Sequence, residues 1–176
     1  MEIHEVPYVE KRTISLIIIG FVGKEADALR SALEAYNYRV DTHWIGSKKE
    51  LVKILQGHIP TFQTVVLIGH GSDDGILIDG EPTLNAEEIR LYCKIKDKVV
   101  VNMGCSTGKE HIAKSFINNG VKTYIAPIDD IEGSSSLLFT LHLFYYLSNG
   151  MELNEAVKKS CQFDDECNLF KMYLNE

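Results

Sequence analysis

The feature that most constrains this chain is the apolar run Ile14 to Val22, rich in isoleucine and free of charge. A strand that is apolar at successive residues has no face to offer to water. It must be covered on both sides, as in a parallel sheet held between two helical layers. The run is too short to span a bilayer. Lys11-Arg12 ahead of it gives a superficial look of a signal peptide, but no small-residue cleavage site follows. Gly23-Lys24-Glu25 instead leads directly into an amphipathic helix.

The rest of the chain alternates in the same way. Leu29, Ala32, Leu33 and Tyr36 fall at helical spacing, and Arg39 to Ile45 alternates as a second strand. Ser47 with Glu50 predicts a capping box for a helix whose apolar face is Leu51, Ile54 and Leu55, and Gly57 stops it. Thr64 to Ile68 is a third strand that runs into Gly69-His70-Gly71-Ser72, and Asp73 to Gly80 is a polar turn around Ile76-Leu77-Ile78. Asn85 and Glu88 predict a second capping box, with Leu84 and Ile89 as a hydrophobic staple. Val99 to Val101 is a fourth strand leading to Gly104-Cys105, and Thr107 with Glu110 predicts a third box for a helix that Gly120 closes. Lys122 to Ala126 is a fifth strand; helices from Ser134 to Asn149 and Glu152 to Cys161 follow, with Ser134-Ser135-Ser136 as a capping run. This order predicts a three-layer α/β/α sandwich with a mainly parallel sheet of about five strands, one domain over residues 1–176.

Charge and cysteine usage narrow the function classes. The net charge is −7 and no basic stripe exists, which argues against nucleic acid as a partner. Cys93, Cys105, Cys161 and Cys167 show no CxxC spacing and read as reduced thiols of a cytoplasmic protein. His43, His58, His111 and His142 lack paired ligand spacing, so no metal site is expected. The segment Leu137 to Leu147 is apolar nearly all round, as burial on several sides or a subunit contact requires. A partner protein or a homodimer would meet that second need.

In a doubly covered parallel sheet, sites collect beyond the carboxyl ends of the strands. Two such ends carry reactive side chains: His70 after the third strand and Cys105 after the fourth. Consecutive strands are commonly neighbours, which would set the two tips side by side. Cys105, between an apolar strand and a capped helix, would feel the positive end of the helix dipole as a nucleophile should. His70 could act on it as general base and acid. The unhindered N–H of Gly71, with that of Cys105, could form an oxyanion hole. The plainer alternatives are a small buried thiol and a histidine that caps strand carbonyls.

With these residues in view, the chain resembles the caspase-like (clan CD) cysteine peptidases. An apolar block ends in His70-Gly71, and a second block, Val99 to Met103, ends in Gly104-Cys105. It is most similar to the CHAT branch, which is related to separase, through Gly104-Cys105-Ser106-Thr107-Gly108, Ile112-Ala113-Lys114-Ser115-Phe116 with Gly120-Val121, and Phe144 to Gly150 with Glu155-Ala156-Val157. The resemblance spans residues 64–162. It implies peptide-bond hydrolysis of a polypeptide substrate through a thioester, with His70 as base, Cys105 as nucleophile, and neither metal nor organic cofactor. The acid that metacaspase relatives place two residues before the cysteine is missing, since Asn102-Met103-Gly104 precedes it. Asp129 and Asp130, after the fifth strand, could select a basic side chain, or simply solvate a turn before a helix. Two other readings stand beside the peptidase. One is a non-catalytic scaffold or interaction module on the same fold. The other is a small-molecule enzyme in which Gly69-His70-Gly71-Ser72 resembles the His-Gly-Ser segment of tetrapyrrole metal chelatases.

Overall fold

The computed structural model describes residues 12–175; Lys11 of the Lys11-Arg12 pair lies outside them. The apolar run becomes β1 (Arg12–Ile19), which ends three residues sooner than its pattern because Gly20 turns the chain with φ +66°. After it come α1 (Glu25–Ala35), β2 (Tyr38–Ile45), α2 (Lys48–Leu55) and β3 (Thr64–Ile68). A small antiparallel unit follows, β4 (Gly71–Ser72), β5 (Gly75–Ile78) and β6 (Glu81–Asn85). The chain continues through α3 (Ala86–Tyr92), β7 (Val99–Asn102), α4 (Glu110–Ile117), β8 (Thr123–Pro127), α5 (Gly133–Ser148), α6 (Leu153–Cys161) and β9 (Phe170–Leu174).

The main sheet has the order β2-β1-β3-β7-β8-β9. Its neighbours are parallel except for the last pair, β8 and β9. It therefore has six strands among the described residues where about five are expected from the sequence. The added strand is β9, anchored by the ring of Phe170, which stacks on Phe139 of α5 with centroids 3.7 Å apart. Helices α1, α5 and α6 bury Leu29, Leu33, Phe139, Leu143 and Val157 on one face of the sheet. Helices α2, α3 and α4 bury Leu51, Ile54, Ile89, Ile112 and Phe116 on the other. The result is the three-layer sandwich. Each fully buried side chain of this kind contributes roughly 1.5–3 kcal/mol of transfer free energy. Helix α5 is flanked by α1 and α6 as well as the sheet, which accounts for most of its all-round apolarity. No helix among the described residues is long and apolar enough to cross a membrane.

The helix starts are settled case by case. The Asn85–Glu88 capping box forms in both directions. At α2, Ser47 Oγ accepts from Glu50 N, but the Glu50 carboxylate accepts from the N–H of Gly46. The third predicted box does not form: Thr107 Oγ1 donates to the Gly104 carbonyl at 2.7 Å, and Glu110 pairs with Lys114 at 2.6 Å. Helix α5 begins at Gly133, so Ser136 is inside it and donates to Met103 O at 3.0 Å.

Candidate active site

From β1 the chain moves outward to β2, then returns to lay β3 on the opposite side of β1 and continues to β7 and β8. That reversal opens a crevice beyond the carboxyl ends of the strands. The crevice is present as a cleft of about 250 Å³. Val22 reaches it from the β1–α1 connection and Glu25 from the start of α1; Ile68, Gly69 and His70 come from the end of β3. Met103 and Cys105 come from the end of β7, and Ile131, Gly133 and Ser136 from the segment after β8.

His70 and Cys105 are brought together by strand register. β3 and β7 are adjacent and parallel, with Leu67 opposite Asn102, so each residue lies three positions past a paired partner. Past the last pair, Met103 N still donates to Leu67 O at 2.9 Å. His70 is exposed and Cys105 is half-buried. The His70 Nε2–H donates to Phe21 O at 3.2 Å. A carbonyl only accepts, so a neutral ring held this way carries its lone pair on Nδ1. The Cys105 Sγ–H donates to Ile131 O at 3.3 Å. Among the described residues the two side chains thus bond to backbone carbonyls and not to each other.

Gly71 comes close to the cysteine loop. A Cβ added at Gly104 would lie 3.1 Å from Gly71 N. Leu77 N donates to His70 O at 3.0 Å, which makes Gly71 and Ile76 a pair that exchanges no ladder bonds and turns the Gly71 N–H away from β5. Cys105 N has no protein acceptor among the described residues. Cys105 lies five residues before the first residue of α4, with a turn between, and the helix dipole fades within the first turn of a helix. The other three thiols are pushed up, Cys93 to about 11 by burial, Cys167 to about 12 by burial and Asp164, and Cys161 by burial.

No family model and no curated protein matches the chain by sequence. Solved structures do match by shape. A chain of the Saccharomyces cerevisiae separase–securin complex superposes with a TM-score of 0.64 at 18% identity, over 93% of this chain and 12% of that one. The Arg-specific cysteine proteinase gingipain R superposes with a TM-score of 0.63 at 13% identity, over 89% of this chain and 44% of that one. The fold is caspase-like. At these identities the likeness is one of fold, and this chain spans about an eighth of the separase chain and under half of gingipain R.

Around the cleft of this caspase-like domain stand residues that the sequence did not single out. Among the described residues Glu25 brings the cleft its one carboxylate, and Gly133 makes the room for it: a Cβ there would lie 2.4 Å from Glu25 Oε1. Ser106, directly after the cysteine, is buried with a left-handed φ of +59°. Such backbone costs a non-glycine residue about 1–3 kcal/mol and persists where its surroundings hold it. Here Ser106 N donates to Asp129 O at 3.0 Å, and Ser106 Oγ donates to Asp130 Oδ1 at 3.2 Å. Asp129 and Asp130 are exposed and do not line the cleft. Beneath the loop, Asn102 Nδ2 donates to Tyr124 Oη, which donates to Thr107 O; Asn102 Oδ1 accepts from Gly104 N. Burial pushes the Tyr124 phenol well above its usual range, so this buried network keeps its proton. Asn102 and Tyr124 read as ordinary strand residues in sequence, and the link shows only in the β7–β8 register, which sets Tyr124 opposite Val100, two positions from Asn102.

Proposed function

We propose that this domain is a cysteine endopeptidase, similar to the CHAT branch, acting through His70 and Cys105. The observation that carries the reading is that both side chains open into one cleft from adjacent parallel strands. In the proposed reaction the thiol leaves Ile131 O and gives its proton to His70 Nδ1. The thiolate then attacks the scissile carbonyl, and the N–H groups of Gly71 and Cys105 receive the oxyanion. His70 returns the proton to the departing amine, and water releases the thioester. No step calls for a metal or an organic cofactor.

The cleft also points to what the acyl side carries. Val22, Ile68, Met103 and Ile131 give apolar walls, and Glu25 gives one negative charge. An aliphatic stem ending in a cation, as in arginine or lysine, satisfies both. We therefore assign charge recognition to Glu25 rather than to Asp129 and Asp130, which bond to Ser106. A cleft of about 250 Å³ suits one side chain, whereas ligand pockets for drug-sized molecules run to roughly 300–1,000 Å³. The chelatase-like use of His70 therefore has little support. The thiol and imidazole bonded to carbonyls favour the scaffold module as a second reading, and a securin-like protein partner belongs to the same set of proposals.

Incubation with arginine- and lysine-containing peptides decides between them. Cleavage after a basic residue is expected, lost with Cys105→Ala and lowered about 10²–10⁴-fold by His70→Ala. Glu25→Gln is expected to lower kcat/KM for basic peptides by about 10-fold or more. An alkylatable Cys105 with no turnover of any peptide would support the scaffold reading.

A further inference from the structure

Two residues whose main chains bond to His70 carry large apolar side chains that are exposed and outside the cleft: Phe21, 80% exposed, and Leu77, 38% exposed. Scattered apolar residues on a surface need no explanation. These two are different because both are hydrogen-bonded into the histidine's own frame. Phe21 O accepts from the His70 ring, and Leu77 N donates to the His70 carbonyl at 3.0 Å. Phe21 N in turn donates to Asp79 Oδ2 at 2.9 Å, which ties the β1–α1 connection to the end of the β5–β6 hairpin. Phe21 and Leu77 therefore sit on two segments that are fixed to the catalytic base and to each other.

The chemistry says which part of a substrate would meet them. In acyl transfer to a thiol, the acyl side chain takes the cleft that contains the nucleophile. The departing amine must lie by the histidine, because the histidine protonates it. We propose that Phe21 and Leu77 form an apolar seat for the residue that follows the scissile bond. The preferred polypeptides then carry a large apolar side chain on the leaving-group side. The inference rests on the peptidase reading and adds a substrate class to it.

The test uses two peptides identical up to the scissile bond, one with Phe after it and one with Ser. The wild-type chain is expected to cleave the Phe peptide about 10-fold more efficiently, the scale of discrimination that apolar contacts supply. Phe21→Ser and Leu77→Ser should each pull that ratio toward one. A ratio is read because a merely structural role for either side chain would slow both peptides equally and leave it unchanged. Equal cleavage of the two peptides by the wild type, or an unchanged ratio in both variants, overturns the seat and leaves the peptidase reading standing. Cleavage of neither peptide overturns both.

Discussion

A methyl group on Gly71 would sit 2.4 Å from the Cys105 carbonyl oxygen and 2.5 Å from Thr107 Cγ2. The first neighbour is backbone, in a loop whose Gly104 and Thr107 carbonyls accept from Thr107 Oγ1 and Tyr124 Oη, and it cannot step aside cheaply. Gly71→Ala is therefore expected to push the cysteine loop off the β3 tip. Overpacking of this kind costs about 1–3 kcal/mol, and peptide cleavage should fall with it. A urea melt with a parallel activity assay checks both, and an unchanged midpoint with full activity would contradict the close approach. At this scale the nearness of His70, Gly71 and Cys105 was legible in the sequence, because glycines flanking a reactive side chain at a strand end mark close backbone contact. The sequence said little about Glu25 or Ser106. Glu25 reaches the cleft beside Gly133, far away in the chain. Ser106 adopts a glycine-like φ without being glycine.

Among the elements, helix α3 and the β4–β6 unit are fastened to α2 through Lys48. Its Nζ donates to Glu88 Oε2 at 2.7 Å and to Thr83 O at 3.1 Å. The Lys48 hydrogen bond holds the Glu88 carboxyl below its ordinary value, and the Asn85 N–H adds to this. A carboxyl lowered in the folded state stabilises fully above its unfolded value, and that stability fades as pH falls through the folded one. Lys48→Met should thus lower stability at neutral pH by up to about 1 kcal/mol, since the pair is partly exposed. It should also flatten the loss on the acid side. Denaturant midpoints at pH 7 and pH 4 measure both effects, and a variant as acid-sensitive as the wild type would contradict the pairing. The Asn85–Glu88 box was legible because both of its partners lie within four residues. The Thr107–Glu110 box failed although its alternatives are just as local, because the helix starts at Glu110 and Thr107 is not its cap. A carbonyl at Gly104 and a lysine at position 114 offered better partners than the helix start did. Strand β9 was missed because a short edge strand after two helices has no crossover to announce it.

For the whole molecule, the alternation of strands and helices fixed the layers, and the site followed from the order of the sheet. β1 is the point where the order reverses, so the cleft opens beside its carboxyl end. What the sequence could not supply was the present state of the pair, each side chain bonded to a carbonyl 3.2–3.3 Å away. Catalysis by this pair requires that His70 nevertheless serves Cys105. The most direct measurement is the rate at which iodoacetamide alkylates Cys105 near pH 7, read by peptide mass spectrometry in the wild type and in His70→Ala. The account predicts that Cys105 is modified ahead of Cys93, Cys161 and Cys167, and that removing the imidazole slows its modification about 10-fold or more. Equal rates in the two proteins would mean that thiol and imidazole share a cleft without sharing a proton, and would contradict it.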